Sequence, residues 1–240
     1  MTGLLVALIA LVTSTQVDSS EVRVEAFTDN VWIHTSYTRF DNGRWVFTNG
    51  LIIRTPDGPV LVDTAWTDEQ TATVLDWVER EIGEPVIAAI LTHAHHDKMG
   101  GVGLLHERGV ETHAHAIANR LAPERGLIPA MHGLELARGG NSTRFGLDIH
   151  YPGPGHTAGN IVVYDPVSLS LFGGCLIRPH GARTMGNTAD GDVDNWDDAA
   201  RSATATFPET RHVIPSHGAP RGPELLDHTI ALALDAQSRE

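Results

Sequence analysis

The apolar run "VIAAIL", Val86 to Leu91, passes with no turn residue into "THAHHDKMGG", residues 92–101. Six apolar residues followed at once by polar ones read as a short buried strand, since a helix needs ten or more. Beyond it, His93, His95 and Asp97 are spaced by two. On an extended chain alternate side chains share a side, so this segment delivers three metal-ligating groups where a strand opens at its C-terminal end. That constrains the fold, because other donors must reach the same end. His156 sits in "GPGHTAGN" after "DIHY", Cys175 follows "SLSLFGG" directly, and His217 follows "RHVIPS". Four loops at strand ends thus offer six ligands, His93, His95, Asp97, His156, Cys175 and His217. Six protein ligands divide into two sets of three, and a three-ligand site keeps the open position that marks catalytic rather than structural zinc.

The chain carries 14 histidines. His34, His106, His113, His115, His132, His150, His180, His212 and His228 lack this context and read as ordinary surface or packing residues. His96 lies between ligands but points the other way. Lys98 is the only lysine, the other sixteen basic residues being arginine. That imbalance is the kind genome composition produces, and the position of Lys98 is read as incidental.

Short apolar runs alternate with helical patterns along the chain. "NVWIHTSY", "GLIIRT", "PVLVDT", "DIHYPG", "NIVVYD", "SLSLFGG" and "RHVIPSH" read as strands. Asp-Asn-Gly inside residues 38–45 signals a tight hairpin turn. Thr67 to Ile82 reads as a helix, with Thr67 and Gln70 as a capping box, Val74, Trp77, Val78 and Ile82 on one face, and Gly83 as its stop. Further helices are expected over 102–108, 115–121, 196–207 and 223–236. Strands with tight connections first, and mixed strand and helix later, suggest two sheets with helices outside, an α/β arrangement. No interior linker appears, so residues 20–240 are expected to form one domain.

Net charge is -13. Such a chain repels phosphate backbones, so no nucleic-acid partner is expected. Leu4 to Val12 is an apolar run of nine residues, too short for a membrane span. It suits the core of a signal peptide covering about residues 1–19, although no Lys or Arg precedes Arg23. An apolar N-terminal strand is the other reading. The single cysteine excludes an intrachain disulfide.

"THAHHDKMGG", "YPGPGHTAGN", "FGGCLI", "MGNTADGD" and "VIPSHG" resemble the metallo-β-lactamases from about Phe27 to the last helix. "HAHHDKMGG", "NRLAPE" and "YPGPGHT" are similar to New Delhi-type enzymes, and "GLIIRTPDGPVLVDTAW" and "VIPSHG" to both those and the Verona-type carbapenemases. The resemblance implies a four-layer αββα sandwich with two Zn2+ at one edge between the sheets. It implies that His93, His95 and His156 hold one zinc and that Asp97, Cys175 and His217 hold the other. Cys175, together with Lys98 where the wider superfamily usually has histidine, matches subclass B1. The implied activity is hydrolysis of penicillins, cephalosporins and carbapenems by a metal-bound hydroxide in a periplasmic monomer whose partner is the small-molecule β-lactam.

The resemblance also implies roles around the metals. Asp97 is a ligand and candidate proton relay, and Asp63 in "LVDT" a residue that orients a ligand. Arg178, three residues after Cys175, is a candidate partner for the substrate carboxylate, to which a guanidinium binds through two parallel hydrogen bonds. Asn187 is placed near the lactam oxygen. Residues 38–45 match a flap over the substrate, with Phe40 and Trp45 as apolar contacts and Trp66 in the pocket wall. Two other readings compete. A thioester or lactone hydrolase on the same scaffold is disfavoured by Cys175 and Lys98. A non-catalytic zinc protein is disfavoured by the open coordination positions. Serine-based lactam chemistry is disfavoured too, because the only lysine is Lys98 and no Ser-x-x-Lys or Lys-Thr-Gly occurs.

Overall fold

A computed structural model describes residues 21–239. The expected signal peptide lies outside them. Seven strands form one sheet in sequence order: β1 (Val22–Ala26), β2 (Val31–Arg39), β3 (Trp45–Thr55), β4 (Gly58–Val62), β5 (Ala88–Leu91), β6 (Glu111–His115) and β7 (His132–Leu134). β1 to β4 are antiparallel neighbours, and β4 through β7 run parallel. The second sheet has the order β12-β11-β10-β9-β8, from β8 (Gly140–Arg144), β9 (Leu147–Tyr151), β10 (Val162–Asp165), β11 (Ser170–Gly174) and β12 (His212–Pro215). Among the described residues six α-helices complete the fold: α1 (Asp68–Glu81), α2 (His96–Met99), α3 (Val102–Glu107), α4 (Ala116–Leu121), α5 (Val193–Thr206) and α6 (Glu224–Gln237).

The apolar runs are continuous because both faces of the central strands are covered. Val60, Val62, Ala88 and Ile90 point between the sheets, where they meet Ile149, Val163, Phe172 and Ile214. Their neighbours Leu61, Ala89 and Leu91 point outward against Val74, Val78, Val102 and Leu105 of α1 and α3. Val162, Leu171 and Val213 point outward from the second sheet against Trp196 and Ala203 of α5 and Leu225 and Leu226 of α6. Three buried layers between four structural layers make the αββα sandwich that the resemblance implied.

The expected helices are found with small shifts. Thr67 caps α1 by accepting from the Gln70 amide (3.3 Å). Gln70 departs from the simple capping box: its Oε1 accepts from Trp66 N, and its Nε2 donates to the Tyr37 carbonyl at 2.7 Å, tying the helix to β2. α5 begins three residues before Trp196, capped by Asp192. The strands flanking the expected hairpin turn run on to Arg39 and from Trp45, with Gly43 in the left-handed region (φ +80°) that Asp-Asn-Gly supplies. Among the described residues no helix is long and apolar enough to cross a membrane.

Candidate metal centre

The C-terminal ends of β4, β5, β9, β11 and β12 open on the same edge of the sandwich, and every expected ligand follows one of them. The sequence argument fails in one local detail. His95 is extended (φ -124°, ψ 158°), but the chain then turns into α2, so Asp97 stands on a one-turn helix and not on an extended run. The helix brings Asp97 inward and leaves His96 exposed.

Three imidazoles converge. His93 Nε2 lies 3.1 Å from His95 Nδ1, and His156 Nε2 lies 3.2 Å from that same atom. The rings are mutually near-perpendicular, at 81°, 82° and 86°. Ligands about 2.05 Å from a tetrahedral zinc are about 3.3 Å apart, so this is the spacing of a zinc's ligand shell. Beside it, Cys175 Sγ lies 3.3 Å from His217 Nε2 and 3.7 Å from Asp97 Oδ2. His217 Nε2 is 3.4 Å from that carboxylate oxygen. One donor atom each of His93, Asp97 and Cys175 also fall within 4.8 Å of one another, so the two sets adjoin.

The second atom of most ligands is tied down, which fixes the tautomer that faces inward. His93 Nδ1 donates to Thr92 Oγ1 (3.2 Å), which donates to Asp63 Oδ2 (2.9 Å). Asp63 also accepts from Thr92 N at 2.6 Å. His95 Nε2 meets Asp190 Oδ2 at 2.9 Å, and Arg125 holds the other carboxylate oxygen at 3.0 Å while donating to the Ala94 carbonyl. His217 Nδ1 donates to the Phe47 carbonyl (2.6 Å). Asp97 Oδ2 accepts from Thr48 Oγ1 (3.1 Å). Asn49 links the sheets here: its Oδ1 accepts from Thr35 Oγ1, and its Nδ2 protons go to the Pro215 and Gly218 carbonyls.

Lys98 is not incidental. It is fully buried, its Nζ 2.6 Å from Thr48 Oγ1, 3.3 Å from Asp97 Oδ2 and 3.5 Å from Asp63 Oδ2. Burial pushes the Asp63 carboxyl up to about 7, against Lys98 and the two Thr92 donors. Burial also works against the Asp97 anion, but Lys98 and His217 outweigh it and hold this carboxyl well below the usual range. Burial, with the neighbouring His156 and His95, keeps His93 neutral, and burial takes His156 down to about 3. Burial and Asp97 push the Cys175 thiol up, a shift that a divalent cation would reverse.

Above the donors lies a cleft of about 1340 Å³ lined by Phe40, Trp66 and Arg178 among others. Phe40 and Trp66 meet edge to face at 6.0 Å. Asn187 also lines it, but its Oδ1 accepts from Ala189 N, the bond of a local turn. Trp45 does not line the cleft; strand alternation puts its neighbours Arg44 and Val46 there instead. Arg178 has no carboxylate partner among the described residues, and burial lowers its pKa. Arg125, Asp190, Thr48 and Thr92 were missed by sequence reasoning. Their positions follow from loop paths that periodicity does not report.

A cleft floored by two adjoining donor sets, each with room for a further ligand, defines a metal-dependent enzyme rather than a structural metal knot. Residues 43–217 match the family described as the metallo-beta-lactamase superfamily. The metallo-beta-lactamase type 2 of Bacillus sp. (strain 170) is 34% identical over 218 residues, covering 90% of this chain and 83% of that one. Its counterpart from Bacteroides fragilis is 33% identical, covering 88% and 85%. Among solved structures, the metallo-beta-lactamase of Hirschia baltica has 45% identity and a TM-score of 0.86, covering 88% of this chain and 97% of that one. FIM-1 of Pseudomonas aeruginosa, crystallised in a mono-zinc form, has 45% identity and a TM-score of 0.86, covering 90% and 96%. The chain belongs to the metallo-β-lactamase superfamily, and its His, Asp and Cys donors are those of a zinc-binding hydrolase.

Proposed function

We propose that this chain is a dizinc β-lactamase of subclass B1 that opens penicillins, cephalosporins and carbapenems. The observation that carries the reading is the pair of adjoining donor sets, three imidazoles beside Asp97, Cys175 and His217, at the floor of an open cleft. His93, His95 and His156 would hold one ion, and Asp97, Cys175 and His217 the other. Zinc in such sites supplies Lewis acidity and lowers the pKa of water to about 7.

The chain's own groups supply the rest. Arg178 receives the substrate carboxylate: it is a partly desolvated cation in the cleft wall with no internal anion. Phe40 and Trp66 form an apolar corner for the substrate's side groups. Asn187 donates its amide N–H to the lactam oxygen, since its Oδ1 is already engaged with Ala189. Asp97, itself a donor, carries a proton between attacking and leaving groups at its carboxylate, and Asp63 orients His93 through Thr92. Residues 20–240 act as one monomeric catalytic domain, delivered to the periplasm by the segment 1–19.

The test is imipenem hydrolysis followed by ultraviolet absorbance, with purified protein plus zinc. Turnover should collapse with chelator and fall by at least a hundredfold in Cys175→Ala. No turnover of imipenem, a penicillin or a cephalosporin by fully zinc-loaded protein refutes the reading and favours a thioester or lactone substrate.

A further inference from the structure

A second cluster of metal-ligating groups lies away from the cleft, at the β6–β7 edge of the larger sheet. Glu111 and His113 are two apart on β6, and β7 pairs His132 directly opposite His113. All three side chains therefore project to one face. This is the extended geometry that residues 93–97 were expected to have and do not. His113 pairs on its other side with Ile90, three residues before His93. None of the three lines the cleft.

The geometry is that of a ligand set short of closure. Glu111 Oε1 is 2.8 Å from His113 Nε2 and 3.3 Å from His132 Nε2. One donor atom of each residue lies within 4.8 Å of the others. The two imidazoles stack at 4.8 Å with their planes 24° apart. His113 is 3% exposed; its Nε2 faces the Glu111 carboxylate, and its Nδ1 has no hydrogen-bond partner among the described residues. A buried nitrogen left without a partner loses the free energy of its water contacts unless something binds it. Burial lowers its pKa and keeps it neutral, against the pull of Glu111. The side chains of Glu111 and His132 are 46% and 53% exposed, so they are free to swing the short distance that closes the set. His115, the next residue on that face, is spoken for: it donates to the Leu136 carbonyl and caps α4 through Ile117 N. Arg144 opposes a cation here, but Ser142 Oγ and the Thr143 carbonyl hold its guanidinium.

We propose that Glu111, His113 and His132 form a separate site for a zinc-class divalent cation, which clamps the β7 edge strand to β6. Two imidazoles and one carboxylate are a known zinc donor set, and imidazole also suits copper and nickel. The site is independent of the cleft donors.

Native mass spectrometry of the full chain titrated with zinc tests this. The wild type should carry one more zinc than His132→Ala and Glu111→Gln, two exposed positions whose replacement leaves the core intact. The same difference of one should persist in a Cys175→Ala background, so failure of the cleft reading and failure of this one are separable. Copper(II) added to the zinc-loaded protein should give an electron paramagnetic resonance signal coupled to two nitrogens, lost in His132→Ala. β-Lactam turnover should be unchanged in both variants. Equal zinc counts in the wild type and in both variants overturn the site.

Discussion

Replacing Lys98 by methionine tests whether the buried ammonium supports the metal centre from below. The side chain is fully buried, as is that of Asp63, with which it pairs at 3.5 Å. Methionine fills much of the same volume, so the loss is mainly of charge. Breaking a buried pair from one side destabilises by about 3–5 kcal/mol. The carboxyl that carries this loss is Asp97, which Lys98 helps to hold well below the usual range, whereas burial has already raised Asp63 to about 7 with Lys98 in place. In a chain of this length about 4 kcal/mol corresponds to a drop of about 8–16 °C in Tm. The sign with pH is fixed. A carboxyl held low in the folded state stabilises folding above its unfolded pKa, and losing Lys98 raises the Asp97 carboxyl and removes part of that stability. The deficit of the variant should therefore be largest near neutral pH and shrink on acidification. Thermal denaturation with chelator present, at pH 7 and pH 5, measures both. A variant melting within 2 °C of the wild type at pH 7, or a deficit that widens on acidification, refutes the reasoning.

Asp190→Asn removes the carboxylate from His95 Nε2 and should weaken zinc binding by about 10–100-fold with Tm of the chelated protein unchanged, as read by competition with a chromogenic chelator. Gly101→Ala drives a methyl into the Thr71 side chain, which bonds the Thr67 carbonyl at the start of α1; denaturant unfolding should show a loss of about 1–3 kcal/mol. His34 is buried and lowered to about 4 from 6.5, so the unfolded chain protonates first as pH falls. Stability present above pH 6.5 is then lost down to pH 4, by about 3 kcal/mol, and His34→Gln should lack that share of the slope in urea titrations of the chelated protein. Arg178→Ala should raise KM for β-lactams by about tenfold or more with a smaller change in kcat; an unchanged KM would assign the carboxylate to another group.

Much of the sandwich was legible because each central strand is buried on both faces. That makes "VIAAIL" and "PVLVDT" unbroken apolar runs that turn signals bound cleanly. β1, β6, β7 and β8 were not read, since "ETHAH" and "GNSTR" owe their strand state to neighbours rather than to their own apolar content. The six donors were legible because each follows a recognisable strand. The reason given for Asp97 was wrong, because α2 is a single turn with no periodicity to detect. Lys98 was misjudged for a different reason. A lone lysine in an arginine-rich chain has a compositional explanation, and only its burial beside two carboxylates shows that it is placed.

The same asymmetry explains how loops can hold a precise site. Several cleft donors sit on connections, yet their outer atoms reach rigid groups elsewhere. His93 reaches the end of β4 through Thr92 and Asp63, and His217 reaches the β3 backbone at Phe47. Asp97 reaches Thr48 of β3 and the buried Lys98. Two imidazoles differ: His156 Nδ1 has no hydrogen-bond partner among the described residues, and His95 reaches Asp190, on a loop, which Arg125 steadies while its other bond returns to Ala94 beside His95 itself. That closed circuit gains nothing from the sheets. Arg125→Ala should therefore loosen His95 through Asp190 while leaving the fold untouched. Lys98→Met should instead lower Tm, through the buried carboxylates that the ammonium faces.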